Sequence, residues 1–170
     1  MHPDRTSTRF PAPVDTALRA AGWQPGRRNI KQAEYWADTL RDHLSPAGHR
    51  HALFPAAVEA WAEFGALHIA PTDPGHRIAA ATVHIDPLHG LHMARTLNDL
   101  GRALDTEISP LGQEITTTGD TGEPQALLAI DTTGRVYSLD HSGDWYLGPD
   151  LDHALVALLC GTPPLRLTTA

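Results

Sequence analysis

A single cysteine, Cys160, and a single lysine, Lys31, set the first limits on this 170-residue chain. One thiol cannot close an intrachain disulfide, and Schiff-base chemistry would depend on one amine, which gives that route little support. Long apolar runs are missing too. No stretch approaches the roughly 20 residues of a membrane span, and no signal-type apolar segment follows Met1, so the expected location is the cytoplasm. There is no Walker-type loop, no Gly-x-Gly-x-x-Gly and no pair of Cys-x-x-Cys motifs. Positive charge is the remaining shortage: 13 basic residues face 20 acidic ones, a net charge of −7. That balance disfavours nonspecific binding to nucleic acid or an anionic membrane and favours a basic partner.

What is present fits one domain. The length suffices to bury a single core without staples, and there is no internal repeat and no low-complexity linker. Residues 1–9 are polar and expected to be a disordered tail, with one domain over 10–170. A short helix is expected over 13–21, with Val14, Ala17, Leu18 and Ala21 on one face and Gly22 as its stop. Trp23 then folds back, and the connector through Pro25, Gly26, Arg27 and Arg28 leads to a helix over 31–44. Its inner stripe reads Ala33, Trp36, Ala37, Leu40 and Leu44. A third helix is expected over 55–64, with Pro55 in its first turn, Val58, Trp61 and Ala62 inside, and Gly65 as its C-terminal signal.

Beyond Gly65 the period becomes extended. Strands are expected over 66–70 and 78–85, with Ala79, Ala81, Val83 and Ile85 on one face of the second. Leucines at 91, 97, 100 and 104 place a helix within 88–104, centred on 93–103 and weakened by Gly101. Residues 107–118 read as extended and interrupted at Pro110-Leu111-Gly112, and 118–124 as an exposed loop. The C-terminal part is organised around 125–161. A buried strand over 126–130 turns at Asp131-Thr132-Thr133-Gly134, where Gly can adopt the left-handed conformation a short hairpin needs, and returns over 135–139. His141 to Asp144 make a second turn. A short turn-rich segment holding Trp145 and Tyr146 follows, then a helix capped by Asp150, carrying Leu151, Ala154, Leu155, Leu158 and Leu159 to its stop at Gly161. Trp23, Trp36, Trp61, Val136 and Leu155 are expected to be buried. The whole reads as α+β, with a mostly antiparallel sheet packed by helices.

Few residues invite chemistry, and each has a plainer account. His84, His89 and His92, with Asp86 among them, could converge on a divalent ion. Their spacing matches no metal signature, and with 11 histidines in the chain some clustering is expected, so no metal or other cofactor is assigned. His49 and His51 read as a solvated turn. Ser142, in His-Ser-Gly-Asp, lacks the Gly-x-Ser-x-Gly strand-to-helix setting of a nucleophile elbow and fits a turn. Cys160 lies beside Leu158 and Leu159, where a thiol acts as a small hydrophobe. The acidic group Asp140, Asp144, Asp150 and Asp152 is partly explained by a turn and a helix cap.

The order of these pieces resembles a known family. Ala-Gly-Trp-x-Pro-Gly-Arg at 21–27, the helix with Trp36 and Leu40, Phe-Gly-x-Leu-x-Ile at 64–69, Ile85-Asp86-Pro87, Pro110-Leu111-Gly112, Ile130-Asp131 with Gly134-Arg135-Val136-Tyr137, Leu147-Gly148 and the final leucine-rich helix are similar to the third subfamily of the SUKH superfamily. The resemblance spans about 10–167. It implies a single α+β domain and the role of an immunity protein in bacterial polymorphic toxin systems. Such a protein is not an enzyme: it binds and neutralises a cognate toxin domain, often a nuclease or nucleic-acid deaminase. His89 and His92 lie outside the pattern.

A binding module needs only a scaffold and a surface. The expected surface is an acidic patch of Asp140, Asp144, Asp150 and Asp152 with Trp145 and Tyr146 as aromatic anchors, docking a toxin through its basic cleft. An equal reading has the two aromatics completing the core. Two other functions compete: a regulatory or scaffolding protein-binding module, and a metal-dependent hydrolase built on His84, His89 and His92.

Overall fold

A computed structural model of the chain describes residues 9–72, 77, 80–116 and 126–167. The described residues form five α-helices, one 3₁₀ turn and a seven-stranded sheet in which every pair of chain-consecutive strands is antiparallel. The expected α+β class holds. Of the expected tail, residues 1–8 lie outside the described set, as do Ile78, Ala79 and residues 118–124, which were expected to form a loop. Arg9 is described, and its guanidinium holds both Glu63 and Asp152.

Helix α1 (Ala12–Ala21) begins with Pro13 in its first turn and stops at Gly22, whose φ of 108° lets its N–H reach back to the carbonyls of Leu18 and Arg19. Helix α2 (Ile30–Asp42) is capped by Asn29, whose side chain accepts from the Gln32 N–H at 3.2 Å. It buries Ala33, Trp36, Ala37 and Leu40. The expected stripe ran on to Leu44, but the helix ends two residues earlier and Leu44 is 52% exposed. A turn closed by Gly48 N–H to Ser45 C=O redirects the chain there. Helix α3 (Pro55–Phe64) buries Ala57, Ala60, Trp61, Ala62 and Phe64, with Val58 only half-buried. Gly65 ends the helix as expected, at a φ of −58° that any residue could adopt. The position requires glycine because an added Cβ would sit 2.3 Å from the Trp61 carbonyl oxygen and 2.5 Å from the Trp36 ring.

The strands are β1 (His68–Ile69), β2 (Ala81–His84), β3 (Ile108–Thr116), β4 (Ala126–Asp131), β5 (Val136–Asp140), β6 (Gly143–Gly148) and β7 (Leu165–Arg166). Between β2 and β3 the helix expected to centre on 93–103 is present as α4 (Ala94–Leu104), and a separate turn precedes it. Pro87–Gly90 is that 3₁₀ turn, held by the Asp86 carboxylate accepting from the Leu88 N–H at 2.9 Å. Leu91 is therefore in the linker. The expected interruption at Pro110-Leu111-Gly112 is a change of register within a continuous β3: its pairing with β4 shifts between Pro110 and Gly112, a bulge at Leu111.

The segment around Trp145 and Tyr146 is strand β6, not a turn-rich connection. It pairs with β5 on one side, Ser138 opposite Trp145, and with β7 on the other, Trp145 opposite Arg166. Helix α5 (Leu151–Cys160) follows, capped by Asp150 and ended by Gly161 at φ 70°. One face of the sheet, with Ala81, Val83, Leu128, Ile130, Val136 and Leu147, packs on α1, α2, α3 and α5 in the main core. The other face, with Ile108, Ala129, Tyr137 and Leu139, packs on Leu97 and Leu100 of α4. Trp23, Trp36, Trp61, Val136 and Leu155 are all buried.

Candidate functional site

The acidic group singled out in the sequence divides between the two ends of β6. At the first end, Asp140 closes the β5–β6 turn. Its Oδ1 accepts from the Ser142 N–H at 2.8 Å, the Ser142 hydroxyl at 2.6 Å and the Gly143 N–H at 3.1 Å, and the Trp145 indole N–H lies 3.4 Å away. Partial burial pushes this carboxyl up, but the hydrogen bonds from Ser142, Trp145 and Gly143 outweigh it and leave Asp140 below the usual carboxylate range. Ser142 is thus a turn residue. Asp144, one step along β6, is pushed up by burial and by the charge of Asp140.

At the far end, Asp150 caps α5 by accepting from the His153 N–H at 2.8 Å. Partial burial raises this carboxyl, and the His153 N–H and ring, with Arg9, more than reverse the effect. Asp152 takes a two-pronged hydrogen bond from Arg9, 2.7 and 2.8 Å, and Arg9 also holds Glu63. The two groups line different depressions in the surface, Asp140 and Asp144 one, Asp150 and Asp152 another. Trp145 and Tyr146 are adjacent in a strand, so they face opposite sides of the sheet. Trp145 looks toward α5, with the Arg166 guanidinium 5.8 Å from its ring centre. Tyr146 packs with Tyr137 on the α4 side, centroids 6.0 Å apart. Both are half-buried.

Sequence reasoning missed the group that adjoins Trp145. Between the sheet and the end of α5 lies a cavity of about 360 Å³, walled by Ala81, Leu147, Leu158 and Pro164 and carrying Glu114, Ser138, Asp140 and Trp145. Glu114 reaches into it from β3. Its Oε2 is buried and has no hydrogen-bond partner among the described residues. Burial, reinforced by Asp140 and opposed by the Ser138 hydroxyl, pushes the Glu114 carboxyl up to about 7. The bulge at Leu111 puts it there. Pro110 pairs with Ala129 of the α4 face, whereas Gly112 pairs with Leu128 of the main-core face, so the alternation reverses and carries Glu114 inward.

Six of the described histidines form two separate groups. His84 and His89 touch ring nitrogen to ring nitrogen at 2.8 Å, His68 stacks on His84 with centroids 3.7 Å apart, and Asp86 stands beside them. Burial, with His68 and His89 nearby and Asp86 opposing, holds the His84 imidazole down at about 4. The ligand atoms of His84, Asp86 and His89 lie within 4.8 Å of one another, close enough to share a cation. His92 is elsewhere, edge-on to His43 at 5.2 Å, and His43 neighbours His51. His51 was expected in a solvated turn but is buried, its Nε2–H donating to the Leu91 carbonyl at 2.7 Å. Cys160 is half-buried.

The short sequence motifs prove to hold the scaffold. Arg27 donates to the carbonyls of Glu63 at 2.6 Å and Gly65 at 3.0 Å, satisfying the C-terminal end of α3. Trp61 donates its indole N–H to the Pro110 carbonyl at 3.1 Å. Gly112 lets β3 approach β2, since a Cβ there would lie 2.1 Å from the His84 carbonyl oxygen. Together with Asp131, which gathers the β4–β5 hairpin, these contacts define an α+β domain built on one antiparallel meander with helices on both faces. The model of the SUKH-3 immunity protein family matches residues 10–161, and the chain belongs to that family. No curated protein and no solved structure gives a significant match.

Proposed function

We propose that this SUKH-3 protein neutralises a cognate toxin domain by binding it and covering its active cleft, without chemistry of its own. The observation that carries this reading is the family match over 10–161. The charge supports it. A net charge of −7 steers a protein toward a basic surface such as the substrate cleft of a nuclease or nucleic-acid deaminase, and disfavours nucleic acid or an anionic membrane as the partner. No helix among the described residues is long and apolar enough to cross a membrane, and we place its action in the cytoplasm, where a toxin of this kind meets its substrate.

Within the acidic group, the end of β6 with Asp140, Asp144 and Trp145 is the proposed docking region, and Asp150 and Asp152 are the less suited half because helix capping and Arg9 already engage them. Tyr146, on the opposite face, would contribute to the same contact only at its edge. Co-expression with the toxin domain encoded beside this chain tests the reading: growth rescue and a stable complex are expected. Toxicity unchanged by the chain, with no complex in solution, would refute it. A regulatory scaffold without a toxin partner is then the reading left standing.

A further inference from the structure

We propose that the cavity between β3, β6 and α5 is a receptor for one arginine side chain of the partner, with Glu114 pairing the guanidinium and Trp145 forming a wall of the slot. This rests on the reading of the protein as a toxin-binding module and names the chemistry of its anchor. Three observations combine. The first is polar satisfaction: Glu114 Oε2 is buried with no partner among the described residues, and a buried acid with an unpartnered oxygen is costly to ionise unless a cation arrives. The second is charge. Among the described residues lining the cavity there are two carboxylates, Glu114 and Asp140, and no basic group. Oδ1 of Asp140 is already taken by its own turn, whereas Glu114 offers a buried oxygen with no partner among the described residues.

The third is shape and surface. Glu114 of β3, Ser138 and Asp140 of β5 and Trp145 of β6 all reach the same cavity of about 360 Å³. The remaining walls are apolar, from Ala81, Leu147, Leu158 and Pro164. Such a slot suits the planar, weakly hydrated guanidinium better than a compact, strongly hydrated ammonium. Trp145 already accepts one guanidinium, that of Arg166, near its ring, which shows that this indole is presented for cation contact. An arginine in a desolvated pocket is the kind of residue that dominates an interface, and Asp144, which lines the neighbouring depression on the α4 side, would steer rather than anchor.

The test compares the wild-type chain with Glu114→Gln, which keeps shape and removes charge, and Thr162→Trp, which fills the mouth of the cavity from an exposed position. Binding of the neighbouring toxin domain is measured by calorimetry, and the arginines of the toxin are replaced one at a time by alanine. Both variants are expected to weaken binding by about tenfold or more, and one toxin arginine should lose its effect when Glu114 is Gln. Wild-type binding with both variants within about twofold of it overturns the inference while leaving the immunity reading intact. Should the wild-type chain fail to bind the toxin, that reading falls, and agmatine, a free alkylguanidinium, decides the cavity. Saturable NMR shifts of the Trp145 indole that vanish in Glu114→Gln support the slot, and their absence in the wild type overturns it.

Discussion

Tyr137 donates its phenolic hydrogen to Asp131 Oδ2 at 2.8 Å, and this contact ties the β4–β5 turn to the face of the sheet that packs on α4. The other oxygen of Asp131 accepts from the N–H groups of Thr133 and Arg135 and from the Thr133 hydroxyl. One carboxylate, 1% exposed, therefore organises the whole hairpin. Asp131→Ala leaves the buried Tyr137 hydroxyl without its acceptor and frees the turn N–H groups, and should cost about 1–3 kcal/mol, read as a lower urea midpoint. The Tyr137 hydroxyl is pushed up to about 12, by burial first and then by Asp131. In Asp131→Asn, which keeps the fold's shape and removes the charge, its spectrophotometric titration should move down.

The tryptophans Trp36 and Trp61 stand back to back with the Gly65 turn. Replacing either by Ala should lower stability by about 3–5 kcal/mol in denaturant titrations. Trp61→Phe keeps most of the ring and loses the indole bond to the Pro110 carbonyl, which isolates a further contribution of about 1 kcal/mol. Midpoints equal to wild type for both alanine variants would contradict the packing of α2 on α3.

Glu114 sets a pH dependence of the opposite sign to that of an ion-paired acid. Its folded-state carboxyl is raised from 4.5 to about 7, so between those values the native state holds a proton that the unfolded chain releases. Stability should then fall as pH rises from 4.5 to 7 and level off above. The loss is on the order of 3 kcal/mol for a shift of this size. Glu114→Gln should remove the slope and be more stable than wild type above neutral pH. Thermal melts of the two proteins across pH 4–8 would read the difference, and parallel curves would rule it out.

Charge at the end of β6 should act on association rate. Reversal at Asp140 would break the turn it holds, so Asp140→Asn with Asp144→Asn is the suitable pair, since an amide oxygen can still accept from Ser142 and Gly143. The double variant should associate more slowly with the toxin domain and with a flatter salt dependence, at a melting temperature close to wild type. A wild-type rate and salt slope would place the docking region elsewhere.

His84 and His89 satisfy one another at 2.8 Å, whereas two imidazole nitrogens on a tetrahedral zinc ion stand about 3.3 Å apart. The protein as purified is expected to contain well below one equivalent of metal per chain by elemental analysis. A full equivalent, lost in His84→Ala, would revive the metal-dependent reading.

Local chemistry made much of this fold legible in the sequence. The inner faces of α1, α2 and α5 follow from helical spacing, their stops from Gly22 and Gly161, and the β4–β5 hairpin from Asp131 and Gly134. Each depends on residues within a few positions of one another, so the chain writes it locally. The end of α2 was misjudged by two residues because an apolar Leu44 extends the period past the point where the backbone turns away.

Other features depend on partners distant in sequence. Strand β6 is short, half-buried and flanked by glycines, and it is extended because β5 and β7 bond to both its edges. That pairing sends Trp145 and Tyr146 to opposite faces and parts Asp140 and Asp144 from Asp150 and Asp152, a division that the closeness of these residues in sequence conceals. The inward turn of Glu114 was equally hidden. One extra residue at Leu111 reverses the alternation of β3; Pro110-Leu111-Gly112 announces an irregularity, but not which way the later side chains face, because a bulge exists only relative to the strand it pairs with. The sequence by itself determined the helical faces, the hairpin turn and the negative charge; the register of the sheet, a relation between distant segments, decided which acid lies beside Trp145.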